Sequence, residues 1–240
     1  MAFGVRDPLL GMSSSMSRPE VRPGTIVIYT DIACAWSTVT IARLLRVRDE
    51  LGLTDHVRLD HRCFPLEDVN RFPIPKTYLD AELPVVCALE PDLGWRPWQA
   101  DPSTWPVTTA PANEAVQAAK LQSLHAAEEL DFALRLAFFR DSRCISLRHE
   151  ILDAAAGCPQ VDVDALAEAL DDGRARGPMM RDFREHRDAV QGSPHLFFAD
   201  DFDVHNPGIE LHWVGEPGSG YPVVERDDPA IIRDLLKSAI

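Results

Sequence analysis

The spacing of apolar residues predicts a strand, a helix and a second strand at the start of the chain. Residues 25–31 (TIVIYTD) form a continuous apolar run, which is typical of a strand buried on both faces of a sheet. From residue 36 to 51 the apolar positions repeat with helical spacing, and Gly52 stands where a helix commonly ends. Residues 56–64 (HVRLDHRCF) alternate as a strand does. A crossover of this length predicts that the two strands run parallel.

In the middle of the chain, the sequence predicts an irregular segment followed by several helices. Residues 65–112 hold nine prolines and three tryptophans, which predicts an irregular lid packed on its neighbours, with DAELPVVCALE (80–90) as a short helix or turn. Strong helical spacing follows at 112–142, with a break expected near His125. Further helices are predicted over 146–156, 162–172 and 178–189.

Strand-forming sequence returns at residue 190. Residues 195–200 and 202–206 predict a hairpin, followed by turns through Tyr221 and a last helix over 230–240. The predicted class is therefore α/β, in the order βαβ, helical insertion, ββα. We divide the chain into a flexible tail (1–23), a sheet domain (24–64 with 190–240), and a lid plus helical insertion (65–189).

Composition narrows the classes of function. The formal net charge of −14 argues against nucleic acid and against an anionic membrane surface as partners. No apolar run approaches the length of a membrane helix, and the N-terminal segment lacks the apolar core of a signal peptide, so we expect a cytoplasmic protein. Five scattered cysteines without a C-x-x-C pair indicate a reduced protein, and no zinc-ligand spacing occurs. We therefore expect no metal.

Two short motifs carry a resemblance to a known family. DIACAWSTV (31–39) resembles the active-site segment of the DsbA family, with Cys34-Ala35-Trp36-Ser37 at the Cys-Pro-Trp-Cys position. VQGSPHLFF (190–198) is similar to that family's cis-proline loop, with Pro194 as the cis residue. The resemblance extends over nearly all of residues 24–240. It implies a thioredoxin-like fold interrupted by an all-helical insertion domain, a fold shared with kappa-class glutathione transferases and 2-hydroxychromene-2-carboxylate isomerases.

Cys34 is the candidate nucleophile. The unpaired amides and the dipole at a helix N-terminus stabilise a thiolate, and they predict a lowered pKa for this thiol. Ser37 could donate its hydroxyl proton to the sulfur, but it cannot resolve a mixed disulfide as a second cysteine would. An external small thiol, glutathione or mycothiol, is then the expected co-substrate, with no tightly bound cofactor. Cys63, at the end of the second strand, is a less favoured resolver, and a buried, inert Cys34 is the alternative to a reactive one.

Further candidates surround the cysteine. Trp36 follows it in a turn and is expected to be a partly exposed platform. The resemblance implies that Pro194 packs against the cysteine and that the backbone of Ser193 pairs with substrate. His195 could exchange protons with a thiol or could face solvent. His205, His212 and Trp213 could line a pocket, with surface packing as the default. The charged residues on the helices of 112–189 are interpreted as solvated faces.

Three functions stay open on sequence alone. The first is a DsbA-like thiol–disulfide oxidoreductase with one nucleophilic cysteine. The second is a small-thiol-dependent transferase or isomerase of the kappa-class type, although those enzymes use serine at the position of Cys34. The third is a non-catalytic binding module that kept the fold. The physiological substrate and the oligomeric state, including a homodimer, are also left open.

Overall fold

The computed structural model describes residues 17–240. Residues 1–16, most of the predicted tail, lie outside the described residues. The rest of the predicted tail, 17–23, forms neither helix nor strand but contacts the sheet domain. Val21 packs against a buried cluster that includes Phe197, and Arg18 forms an ion pair with Asp203. The described end of this segment is therefore packed rather than free.

A four-stranded sheet forms the centre of the molecule, with strands in the order β2–β1–β3–β4. Its strands are β1 (Thr25–Thr30), β2 (Arg58–Cys63), β3 (His195–Phe197) and β4 (Asp203–His205). Strand β1 pairs in parallel with β2 and antiparallel with β3, which forms a hairpin with β4. Two helices belong to this domain, the crossover α1 (Ala35–Glu50) and the C-terminal α9 (Ile231–Ser238). The predicted α/β class, the parallel pair and the hairpin are confirmed.

The helices between β2 and β3 form the insertion. They are α2 (Leu66–Asn70), α3 (Lys76–Leu89), α4 (Ala110–Lys120), α5 (Leu124–Phe139), α6 (Arg148–Ala155), α7 (Val163–Asp172) and α8 (Arg176–His186). The expected break near His125 falls where Ser123 caps α5 by accepting a hydrogen bond from the Ala126 amide.

Helix α3 corrects one prediction. It runs for 14 residues, Lys76–Leu89, where the sequence predicted only a short helix or turn over 80–90 within an irregular lid, and it contains Pro84. That proline lies on the exposed face of the helix, where water can reach the carbonyl that its missing N–H leaves unpaired. Besides α2 and the start of α4, the rest of the proline-rich segment contributes two short 3₁₀ turns, Pro91–Leu93 and Pro102–Thr104.

A second hairpin replaces the predicted run of turns before the last helix. Its strands, β5 (Ile209–Val214) and β6 (Tyr221–Asp227), form a separate two-stranded sheet. The hairpin packs on α3, and the rings of Tyr78 and Trp213 lie 6.1 Å apart. Frequent prolines and glycines on both sides of β5 hid this hairpin from the sequence pattern.

Three buried clusters fill the fold. One face of β1 packs through Ile26 and Ile28 against α1 and α9, and the other packs through Val27 and Tyr29 against α8. The prediction of a strand buried on both faces is thus confirmed. A third, larger cluster joins the insertion to residues 32–36, the segment between β1 and α1. Across residues 17–240, no helix is both long and apolar enough to cross a bilayer.

Candidate functional site

Cys34 is the residue that precedes the first turn of α1. Its backbone is extended (φ −83°, ψ 114°), and its carbonyl accepts the Thr38 amide at 3.2 Å, an early bond of the helix. The first amides of an α-helix have no partner within the helix and favour negative charge nearby. The structure therefore places the cysteine at the strand-to-helix junction that the sequence indicated.

The loop before β3 lies against this junction. The Ser193–Pro194 peptide bond is cis. The Cys34 thiol donates a hydrogen bond to the Ser193 carbonyl oxygen, with an S···O distance of 3.2 Å. The Ser193 hydroxyl accepts the Asp31 amide at 3.0 Å and lies 2.6 Å from the Ser37 hydroxyl. Residues about 160 positions apart in sequence thus meet in one cluster of sulfur, hydroxyl and backbone groups.

The sulfur is nearly closed off from water. Only 6% of Cys34 is exposed. Burial raises the pKa of its thiol above the ordinary value, although hydrogen bonds with Ser193 and Ser37 act in the opposite direction. A thiol that donates to a carbonyl must also carry its proton. The prediction of a thiol with a lowered pKa is therefore wrong for the conformation described here.

Helix α3 covers the site. Trp36, expected to be a partly exposed platform, is only 3% exposed, so that expectation was wrong. Its indole N–H donates to Glu82 Oε1 at 2.8 Å. Leu79 and Leu83, on the same helix, belong to the buried cluster that contains Cys34 and Trp36. Sequence reasoning missed this cover because α3 begins at Lys76, far from Cys34 in sequence, and the short helix or turn predicted over 80–90 carried no sign of what it packs against.

Glu82 is the titratable residue of α3 that binds Trp36 directly. Burial raises the pKa of its carboxyl to about 7, while the hydrogen bond from Trp36 lowers it. Its charge in turn contributes to the raised pKa of the Cys34 thiol. The contact between α3 and the site is therefore sensitive to protonation near neutral pH.

The structure gives no support to the predicted role of His195 in substrate binding. Its side chain is fully buried. Nδ1 accepts the Gln191 amide at 3.0 Å, so the proton sits on Nε2, which donates to Asp203 Oδ1 at 2.9 Å. Burial lowers the pKa of this imidazole, although Asp203 favours its charged form. Both ring nitrogens have fixed partners, which leaves neither free to exchange a proton with Cys34.

His205 is held beside the proline loop instead. Its Nδ1 donates to the Pro194 carbonyl at 2.8 Å, and a Cβ on Gly192 would come within 2.7 Å of its ring. The ring thus packs on the loop and orients the Pro194 peptide. His212 and Trp213, also weighed as pocket residues, lie on the separate β5–β6 hairpin.

A buried polar network beneath the loop was not predicted. Asp31 is fully buried, and its carboxylate accepts the amides of Ala33 (3.0 Å) and Leu66 (2.9 Å) and the Thr109 hydroxyl (3.0 Å). Burial raises the pKa of this carboxyl.

Arg135, on α5, is also fully buried, although the charged residues of the insertion were interpreted as solvated. That interpretation was wrong for Arg135 because helical spacing alone does not show which faces of an inserted helix are covered.

Cys63 lies one strand away from the site. It pairs in register with Thr30, is buried, and carries a free thiol. Burial, followed by the charge of Asp31, raises the pKa of its thiol well above the ordinary value. These features give Cys63 little nucleophilicity of its own.

In the part of the chain that is described, no group of histidine, cysteine or acidic side chains is arranged to hold a metal ion.

Comparison with solved structures identifies the fold. DsbM, a cytosolic disulfide reductase from Pseudomonas aeruginosa, superposes with a TM-score of 0.60 at 16% identity, over 89% of this chain and 97% of that chain. A probable DsbA oxidoreductase from Streptomyces coelicolor gives 0.58 at 21% identity, over 90% and 89%. The chain has a DsbA-like thioredoxin fold. A 2-hydroxychromene-2-carboxylate isomerase shares this fold at 0.53 and 14% identity, over 75% of this chain and 87% of that chain.

No family model and no curated protein matches the sequence. Within the DsbA-like thioredoxin fold, Cys34 and Ser37 stand at the first and fourth positions of the segment that opens α1, and Pro194 stands across from them. The structure thus brings Cys34, Trp36, Ser37, Ser193 and Pro194 together and places His195 elsewhere. Their arrangement can support chemistry at sulfur once the cover is displaced.

Proposed function

We propose that the chain is a thiol–disulfide oxidoreductase that acts through Cys34 as its only nucleophile. The observation that supports this function is the position of the sulfur, at the N-terminus of a 16-residue helix and 3.2 Å from the Ser193 carbonyl of the cis-proline loop. Amides at such a terminus stabilise the thiolate that thiol–disulfide exchange requires. We further propose a cytoplasmic location, since the structurally similar DsbM is named as cytosolic.

The proposed reaction has two exchange steps. The Cys34 thiolate attacks one sulfur of a substrate disulfide, the substrate S–S bond breaks, and the other substrate sulfur leaves as a thiolate that takes up a proton. Ser37 has no thiol with which to expel the bound partner. A small thiol, glutathione or mycothiol, then attacks the partner's sulfur, forms a new disulfide with it, and releases the Cys34 thiolate.

Burial sets a condition on this reaction. The thiol must lose its hydrogen bond to Ser193 when it ionises, because a carbonyl oxygen offers no proton to a thiolate. A disulfide must also reach a sulfur that is 6% exposed. The second requirement is met if α3 moves away from Trp36, and the first requires the thiol to turn away from the Ser193 carbonyl. The described conformation is then the resting, protonated form of the enzyme.

Intact-mass analysis after incubation with oxidised glutathione, and separately with mycothiol disulfide, tests the proposal. We expect the wild type to gain the mass of one small thiol and Cys34→Ser to gain none. Cys158→Ser is the matched control, because Cys158 is also buried, with its thiol pKa raised to about 11. An adduct that persists on Cys34→Ser, or that is missing from the wild type at pH 8, would contradict the proposal.

One observation favours a second function, a non-catalytic binding module. The nearly complete burial of Cys34 and the raised pKa of its thiol fit an active site that has lost its catalytic activity. Such a module would give no small-thiol adduct and no reduction of insulin disulfides. A small-thiol-dependent transferase or isomerase is supported only by the shared fold, and conjugation of chlorodinitrobenzene that survives Cys34→Ser would favour it.

A further inference from the structure

Arg135 reaches from the insertion to the loop that carries Cys34. Its guanidinium donates to the backbone carbonyl oxygens of Asp31 at 3.0 Å and Ile32 at 3.3 Å. It also donates to the hydroxyl of Thr30, at the end of β1, at 3.0 Å. One fully buried side chain therefore binds the end of the strand and the loop that follows it.

A relay of two hydrogen bonds links Arg135 to the cysteine itself. The guanidinium donates to the Thr38 hydroxyl at 3.1 Å, and that hydroxyl donates to the Cys34 carbonyl at 3.1 Å. Asn113, on α4, also binds this loop, because its side-chain oxygen accepts the Ile32 amide at 3.2 Å. The carbonyl oxygens of Asp31, Ile32 and Cys34 and the Ile32 amide are thus bound by side chains of the insertion or of the first turn of α1.

The charge of Arg135 is balanced within its own helix. Asp131, one turn earlier, accepts two hydrogen bonds from the guanidinium, at 2.7 and 3.1 Å. His61, on β2, places its Nδ1 3.3 Å from Oδ1 of the same carboxylate. Arg135, Asp131 and His61 are all buried, and a buried Arg–carboxylate pair contributes little net stability compared with apolar residues of equal size. Its polar bonds instead fix one geometry for the loop.

We propose that Arg135 is a positioning residue that holds the Cys34 loop against the cis-proline loop and thereby sets the reactivity of the sulfur. Its five N–H donors serve six acceptor contacts, two each at Asp131, at the loop carbonyls and at hydroxyls, because Nη1 shares its two protons among three oxygens. Lysine at this position keeps the charge but has three donors from a single atom, so it cannot serve all of these acceptors. The biological meaning of this role rests on the proposed function of Cys34, but the positioning itself is measurable without it.

Site-resolved alkylation tests the proposal. Cys34 is followed by peptide mass spectrometry during reaction with iodoacetamide between pH 6 and 10, in the full chain and in Arg135→Lys. We expect alkylation of Cys34 to become about tenfold faster and its pH midpoint to fall, because a loosened loop admits water and reduces the burial that raises the thiol pKa.

Arg48→Lys is the matched control. Arg48 is also buried and forms two 2.8 Å hydrogen bonds with Glu128, another acidic residue of α5, but neither partner contacts residues 31–34. We expect this variant to lose comparable stability while the Cys34 rate and midpoint stay within twofold of the wild type. Equal shifts in the two variants, or no shift in Arg135→Lys, would overturn the positioning role.

If Arg135→Lys does not fold, Thr38→Val tests the positioning role of Arg135 instead. It removes the hydroxyl relay to the Cys34 carbonyl and leaves the Arg135–Asp131 pair intact. A shift in the Cys34 midpoint in the same direction would support the proposal, and an unchanged midpoint would refute it. If alkylation responds as expected but the wild type forms no small-thiol adduct, the proposed function fails while the positioning role stands.

Discussion

The loop that carries Cys34 is bound by the insertion on two sides, and the two contacts differ in kind. On the side of α4 and α5, buried side chains satisfy the loop through many hydrogen bonds, with Arg135 at their centre. On the side of α3, the hydrogen bond from Trp36 to Glu82 is joined mainly by apolar packing of Leu79 and Leu83.

This difference assigns different tasks to the two sides. Breaking the α5 contact would leave buried polar groups without partners, which is costly, so that side is fixed. Separating α3 from Trp36 would expose apolar surface and a carboxylate, a smaller cost that water partly offsets. The structure therefore combines a polar floor beneath the cysteine, formed by Arg135 and Asn113, with a mainly apolar cover, formed by α3.

Arg135→Met breaks the floor and gives the largest expected effect. The substitution leaves Asp131 as a buried charge without its main partner, which should lower the free energy of unfolding by about 3–5 kcal/mol. Urea unfolding followed by circular dichroism measures the loss. Lys76→Met, which breaks the exposed Lys76–Asp80 pair on α3, should cost no more than about 0.5 kcal/mol. Similar losses in the two variants would remove the distinction between floor and cover.

Leu83→Ala weakens the cover. Loss of this buried side chain should cost about 2–3 kcal/mol and also speed the alkylation of Cys34, because α3 then separates from Trp36 more readily. Leu236→Ala, in the separate core between the sheet and α9, is the matched control. It should cost as much stability without speeding alkylation at Cys34. Faster alkylation in both variants would show global loosening instead of an opening of α3.

Glu82→Gln tests whether protonation controls the cover. Because burial raises the pKa of Glu82 to about 7 from its ordinary value of 4.5, the folded state binds this proton more tightly than the unfolded state does. Its contribution to stability is therefore full below pH 4.5 and is lost as pH rises towards 7. For this half-buried group we expect a loss of about 1–2 kcal/mol between pH 5 and 8, which Gln, neutral at both, should abolish. An unchanged pH profile of unfolding in Glu82→Gln would reject the role of this carboxyl.

The sequence was sufficient for the parts of the site that depend on local patterns. A buried strand, a helical repeat and a cysteine at their junction predicted the position of Cys34. Cys34 lies within a few residues of the patterns that indicate its position. That the Ser193–Pro194 loop lies beside it was implied only by the resemblance of residues 190–198 to a cis-proline loop.

The missed features all depend on distant contacts. Cys34 and Trp36 are buried by a helix from another part of the chain, so their own spacing could not reveal their exposure. Arg135 has the spacing of a surface charge, and only the position of the loop above it shows that it is buried. His195 lies on a strand whose two faces are both covered, so alternation did not indicate where its ring points. The thiol pKa followed the same burial and therefore shifted in the direction opposite to that predicted from the helix terminus alone.

Trp36→Phe gives the smallest effect and isolates the polar bond of the cover from its packing. Phenylalanine keeps an aromatic ring beneath α3 but removes the N–H that donates to Glu82, so we expect a loss of about 1 kcal/mol. Trp98→Phe is the control, because it makes the same change in a packed ring while its indole N–H makes only an exposed 3.4 Å contact with the Asp101 carbonyl, and it should leave the pH dependence of unfolding unchanged. The indole stabilises the ionised carboxylate, so its removal should raise the pKa of Glu82 further and move the pH dependence of unfolding to higher pH. A loss in Trp36→Phe with no such movement would mean that packing, not the hydrogen bond, holds α3 over the cysteine.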